Sequence, residues 1–227
     1  MTSIRGLFAG ALVAGAALVA SSAMAATNLV ANPSFEILPA GGLPIGCGTD
    51  CAYSVGPVPD WTTVGTAETG QFQPGPPANT TYFNSVPDGV TVGYSNGAEL
   101  TQTVGPTAVG GATYTLTLEQ GFRKDVPDPA TDALMIGSTV IAALPTTTPV
   151  PLSGDWFTYT ASFTATPAMD GEPISVILDS NGVQGDWDAV SLVSSVPEPA
   201  SWALMLVGFG ALGWALRGRR RTAPFAV

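Results

Sequence analysis

Along the middle of the chain, apolar and polar residues alternate instead of recurring at helical spacing. Thr113, Thr115 and Thr117 interleave with Tyr114, Leu116 and Leu118, which places three threonines on one face of a strand and three large residues on the other. The run 155–165, DWFTYTASFTA, repeats the pattern with Phe157, Tyr159, Ala161 and Phe163 on one face. A slip of one residue would turn that whole set outward, so the register is strongly specified. Further strands are expected at 89–94, 99–104, 133–143, 174–179 and 187–193. No segment of 26–195 carries a sustained helical apolar period, and Gly, Pro, Thr, Asn and Asp punctuate it at intervals of about ten residues. Roughly seven to nine short strands predict an all-β fold, a two-sheet antiparallel sandwich of jelly-roll type. The proline-rich stretches 38–59 and 73–78 are expected loops, either solvated crossings or binding loops.

The two ends break this pattern. Residues 1–25 read as a cleavable signal peptide: Arg5 alone is charged, an apolar run covers 7–20, and Ala23 and Ala25 supply the small-x-small cleavage site. At the other end an uncharged apolar stretch, 200–216, contains Trp202 and Trp214 and is followed at once by Arg217, Arg219, Arg220 and Arg221. That combination predicts a transmembrane helix whose arginine side stays cytoplasmic, leaving 26–195 as one extracytoplasmic domain. At ~1.5 Å per residue the helix reaches about 25 Å, short of a ~30 Å hydrocarbon core, which suits a temporary span. Pro197 and Pro199 hold Glu198 in stiff extended backbone ahead of it. Residues 222–227 form a short tail.

Pro197, Glu198, Pro199, Trp202 and Ala203, with the apolar stretch and the arginine cluster, resemble the PEP-CTERM sorting signal of Gram-negative bacteria in its PEPxxWA variety. The resemblance implies recognition in the inner membrane by an exosortase-type processing enzyme and cleavage near Pro-Glu-Pro. Release or transfer to the cell surface would follow.

Charge and composition narrow what the domain can do. The formal charge is −10, yet five of the seven basic residues lie in the terminal segments, leaving Arg123 and Lys124 as the only cations of 26–195. All 17 carboxylates fall between Glu36 and Glu198. Such a surface repels nucleic acid but suits calcium, which takes carboxylate and carbonyl oxygens. Cys47 and Cys51 are the only cysteines, and an exported chain makes a local disulfide between them the expected state. Histidine is absent, which removes Ser-His-Asp and Cys-His chemistry and the usual zinc sites. Asp125, Asp128 and Asp132 fall in a proline-rich turn and Asp186 and Asp188 frame Trp187, so no tight acidic pair on one strand face points to glycoside cleavage. No catalytic residue is assigned.

A second resemblance spans the domain. The opening NLVANPSFE of 28–36 with Trp61, the central runs 97–104 and 111–118, and the closing GDWDAVSL of 185–192 resemble galactose-binding-like jelly rolls, including carbohydrate-binding modules. It implies that the two ends of the domain lie side by side and that Glu36 and Asp188 hold a structural calcium; the alternative is that both are solvent-facing strand residues. Trp61, Tyr82, Phe122 and Trp187 are the candidate platforms for stacking on a sugar ring, or else core residues. The expected role is a non-catalytic exported surface or matrix protein associated with exopolysaccharide. The alternative is a carbohydrate-binding module, and a glycan-cleaving enzyme ranks behind both.

Overall fold

The computed structural model describes residues 27–75, 81–195 and 199–219. In chain order the strands are β1 (Ile45–Gly48), β2 (Cys51–Tyr53), β3 (Thr62–Val64), β4 (Thr69–Gln73), β5 (Val92–Ser95), β6 (Glu99–Thr103), β7 (Thr113–Gly121), β8 (Thr131–Ile136), β9 (Thr139–Ala142), β10 (Leu144–Pro145), β11 (Trp156–Thr164), β12 (Ile174–Asp179) and β13 (Gly185–Ser195); a helix, α1, spans Pro199–Arg219. They form two sheets, one of eight strands ordered β1-β2-β4-β5-β13-β7-β11-β10 and one of five ordered β3-β6-β12-β8-β9. All their ladders are antiparallel. This is the all-β two-sheet sandwich that the alternation implies.

The strongest alternation produces the central strand. In β7 the residues Tyr114, Leu116, Leu118 and Gln120 are buried while Thr113, Thr115, Thr117 and Glu119 are half-exposed. β11 pairs with it over its whole length, Tyr159 against Leu118 and Ala161 against Leu116, so both strands turn their apolar sets to the same face. The opposing sheet contributes Leu100, Leu134, Ile136, Ile174, Val176 and Leu178 to the same core. A smaller apolar cluster of Cys51, Phe72, Phe83, Val92 and Tyr94 forms separately, on the outer face of the large sheet.

Three features differ from the expected strands. The run 133–143 is not one strand but the β8–β9 hairpin, because Gly137 adopts φ +58°, a left-handed conformation open to glycine, and reverses the chain. β13 is interrupted by a bulge between Asp188 and Ser191, where Ala189 sits at φ +48°. The opening segment is not a strand, yet it runs beside β13. Asn28 donates to the Val190 carbonyl at 3.0 Å and accepts from the Leu192 N–H at 2.9 Å, while the Leu29 N–H donates to the Leu192 carbonyl.

The stretch 200–216 lies within α1, whose Leu206, Phe209 and Trp214 are 72%, 67% and 82% exposed. Among the described residues no helix is long and apolar enough to cross a membrane. Residues 1–25, Pro197, Glu198, Arg220, Arg221 and 222–227 lie outside the described residues.

Candidate functional site

The outer face of the large sheet carries a cleft of about 380 Å³. Register explains its floor. Tyr53 on β2 stands opposite Phe72 on β4, and Tyr94 on β5 stands opposite Gly70 on β4 and Asp186 on β13. Residues opposite one another in antiparallel strands project to one face, so Tyr53, Phe72, Tyr94 and Asp186 share it. Gly70 makes room for them: a Cβ there would fall 2.0 Å from the Ser54 carbonyl oxygen and 2.8 Å from the Tyr94 ring. The freed space lets Tyr94 Oη donate to that carbonyl at 2.8 Å.

Alternation beyond β7 delivers the cleft's cation. Phe122 turns inward, and Arg123 therefore turns outward onto the cleft. Its guanidinium lies 4.5 Å from the centre of the Tyr82 ring and 5.6 Å from that of Phe72, an arrangement that stabilises a cation against the ring faces. Nε and Nη2 donate to the two carboxylate oxygens of Asp125 at 2.9 and 2.8 Å. Burial works against the Arg123 charge, but the Asp125 bond and the nearby Asp186 outweigh it and hold the pKa above the ordinary arginine value. The same bond lowers that of Asp125. Glu68, Asn96 and Gln184 complete the polar lining, and the rim carries Cys47. Cys47 is joined to Cys51 by the expected disulfide, which staples the β1–β2 turn.

Beneath the lining lies Asp186, with no exposed surface. Gln184 Nε2 donates to its Oδ2 at 3.0 Å, and its Oδ1 has no partner among the described residues. Burial pushes its pKa up to about 8, against the pull of Arg123.

Glu36 and Asp188 come together at a second place, around the loop 88–91. Glu36 Oε1 accepts the N–H groups of Val90 and Thr91, each at 2.7 Å, and Asp188 accepts those of Asp88 and Ala189 at 2.8 and 2.7 Å. Asp188 is fully buried and so is not a solvent-facing strand residue, whereas Glu36 is exposed and lies outside the strands. Burial, with Asp88 and Glu36 close by, raises its pKa to about 7. Such crowding of three carboxylates fits a divalent cation in charge. Among the described residues, however, no three His, Cys, Asp or Glu side chains form a group that could hold a metal.

Of the four candidate platforms, Trp61, Phe122 and Trp187 lie in the core at 6%, 6% and 0% exposure. Trp61 stacks on Phe35, and Trp187 Nε1 donates to Asp132 at 2.8 Å. Tyr82 alone reaches the cleft. Sequence reasoning missed Tyr53, Tyr94 and Arg123, although the scarcity of cations in 26–195 already singled out the last.

A family model described as HpiC1-like, HpiC1 cyclase, matches residues 26–193, and one for the PEP-CTERM protein-sorting motif matches 195–221. The tail thus marks the chain for export and processing at the membrane by an exosortase. No curated protein matches the sequence. Among solved structures, a Stig cyclase, Fisc, from Fischerella sp. TAU in complex with (3Z)-3-(1-methyl-2-pyrrolidinylidene)-3H-indole is 23% identical, covering 77% of this chain and 100% of its own, with a TM-score of 0.62. A cyclase from the same organism, in complex with 4-(1H-indol-3-yl)butan-2-one, is 24% identical over 76% of this chain and 100% of its own, with a TM-score of 0.61. These two likenesses show the fold. The CBM22-1 xylan-binding domain from Paenibacillus barcinonensis Xyn10C is similar at 8% identity, 78% of this chain, 100% of its own and a TM-score of 0.48. The sequence alone pointed to the two-sheet antiparallel sandwich but not to the cyclase family.

Proposed function

We propose, from the premise that this chain belongs to the HpiC1-like cyclase family and carries a PEP-CTERM sorting tail, that it is a non-catalytic exported protein of the cell surface or extracellular matrix that binds polysaccharide in the cleft of its large sheet. The supporting observation is the lining itself. Two half-buried tyrosines, Tyr53 and Tyr82, stand among Glu68, Asn96, Arg123 and Gln184, flat apolar rings beside groups that exchange hydrogen bonds with hydroxyls. Retention of the purified protein on a panel of polysaccharides tests it. Binding is expected, weakened at least about tenfold by Tyr82→Ala, on the scale of losing an aromatic contact. Absence of binding to every polysaccharide defeats the proposal.

A second reading is favoured by Asp186 and by the family: an acid-promoted cyclisation in which the Asp186 carboxyl protonates a small substrate. A general acid must come within about 3 Å of the atom it protonates, whereas Asp186 has no exposed surface and lies under Gln184. Conversion of an indole compound, lost in Asp186→Asn, would establish this reading in place of the first.

Calcium at Glu36 and Asp188, with Asp88 beside them, completes the proposal. It is supported by the accumulation of carboxylates there and by the resemblance of the opening and closing runs. A ligand that binds only the folded state adds stability by mass action, so the melting midpoint should rise in calcium and fall in chelator. An unchanged midpoint refutes it.

A further inference from the structure

The most singular charge in the domain is the one in the cleft. Residues 26–195 contain two cations, Arg123 and Lys124, among the acidic residues that make the chain so anionic. A surface so acidic repels acidic ligands, so a guanidinium set into its binding cleft is the local exception. Arg123 is also held still: its side chain is 17% exposed, rests against Tyr82 and Phe72, and is tied to Asp125.

The atoms left over define what it can take. The Asp125 bond occupies one edge of the guanidinium, through Nε and Nη2. Nη1 makes no hydrogen bond to the described residues, so the Nη1–Nη2 edge remains, a planar fork that matches a carboxylate. The half-buried rings of Tyr53 and Tyr82 and the amides of Asn96 and Gln184 stand beside it in the same cleft.

Building on the polysaccharide-binding reading, we propose that the cleft selects carboxylate-bearing sugars, uronate units of an acidic polysaccharide, with Arg123 as the residue that reads the carboxylate. Asp125 is 45% exposed and sits in the turn after β7, so it acts as a resident competitor for the same cation. Glu68, exposed at the rim, discourages anions through a solvent-screened interaction.

Calorimetric titration of the purified protein with oligomers of galacturonate, glucuronate and mannuronate, and with their methyl esters, tests this. The ester keeps the ring and hydroxyls and removes only the charge. At least one free acid is expected to bind about tenfold or more tighter than its ester, as a charge-assisted bidentate contact does. Arg123→Gln should abolish that preference, so that acid and ester bind alike, and Arg123→Lys should lose most of it because an ammonium lacks the fork. Asp125→Asn should strengthen acid binding severalfold and leave ester binding unchanged, an outcome that a merely structural pair would not give. Equal binding of acid and ester, or a preference that survives in a folded Arg123→Gln or Arg123→Lys protein, overturns the inference and leaves polysaccharide binding standing. No binding of either form, together with no retention on any polysaccharide, overturns both.

Discussion

Gly70 shows how one missing atom shapes the cleft. Its Cβ position is filled by the Ser54 carbonyl and the Tyr94 ring, so a methyl group there must move main chain, not only a flexible side chain. Gly70→Ala should destabilise the fold by about 2 kcal/mol or more, the range of overpacking, and displace Tyr94 from its bond to Ser54. Denaturant unfolding together with polysaccharide retention checks this; a variant with wild-type stability and binding would mean that β2 and β4 yield without strain. Nothing in the sequence advertised this one among the chain's 27 glycines. The same limit applies to the platforms: Trp61, Tyr82 and Phe122 lie in connections and Trp187 on β13, where composition does not say which face an aromatic takes, and Trp61, Phe122 and Trp187 turn inward.

At the level of strands and turns, the alternating runs were legible and their interruptions were not. β7 and β11 follow directly from period-two patterning, because each buries one face and leaves the other wet. The hairpin at Gly137 and the bulge at Ala189 depend on local backbone conformations that the composition of 133–143 and 185–192 does not announce. The β7–β8 turn brings a further consequence. Asp128 is raised to about 7 and Asp132 is raised well above the ordinary carboxylate value, in both cases chiefly by burial. Gln120, Ala130, the Asp186 main chain and Trp187 donate to this pair and partly oppose the shift, while Asp179 and the mutual proximity of the two carboxyls add negative charge at Asp132. Carboxyl groups raised on folding contribute stability that is complete below the unfolded value near 4 and is lost as pH rises through the folded one. The urea midpoint should therefore fall as pH rises from about 5, most steeply between the unfolded value and about 7, and the Asp128 contribution to the fall should level off above that. Asp128→Asn should flatten that decline, since an amide mimics the protonated form. A midpoint that rises across this interval would contradict the assignment.

For the molecule as a whole, the two halves of the sequence speak about different things. The sandwich says what the protein contacts, and the tail says how it travels. The apolar residues of α1 stand exposed, with Leu206, Phe209 and Trp214 all more than 60% accessible, which leaves that surface for something outside the folded domain. A helix whose apolar side chains stand exposed beside the sorting motif is well matched to a processing enzyme that removes it. The mature protein recovered from its native host should accordingly end close to residues 197–199, and Glu198→Ala should leave α1 attached and the chain in the membrane fraction. Intact-mass measurement of both proteins decides the matter. A wild-type mass that includes α1 would make the tail a permanent anchor, and would confine the cleft of the large sheet to ligands within reach of the membrane.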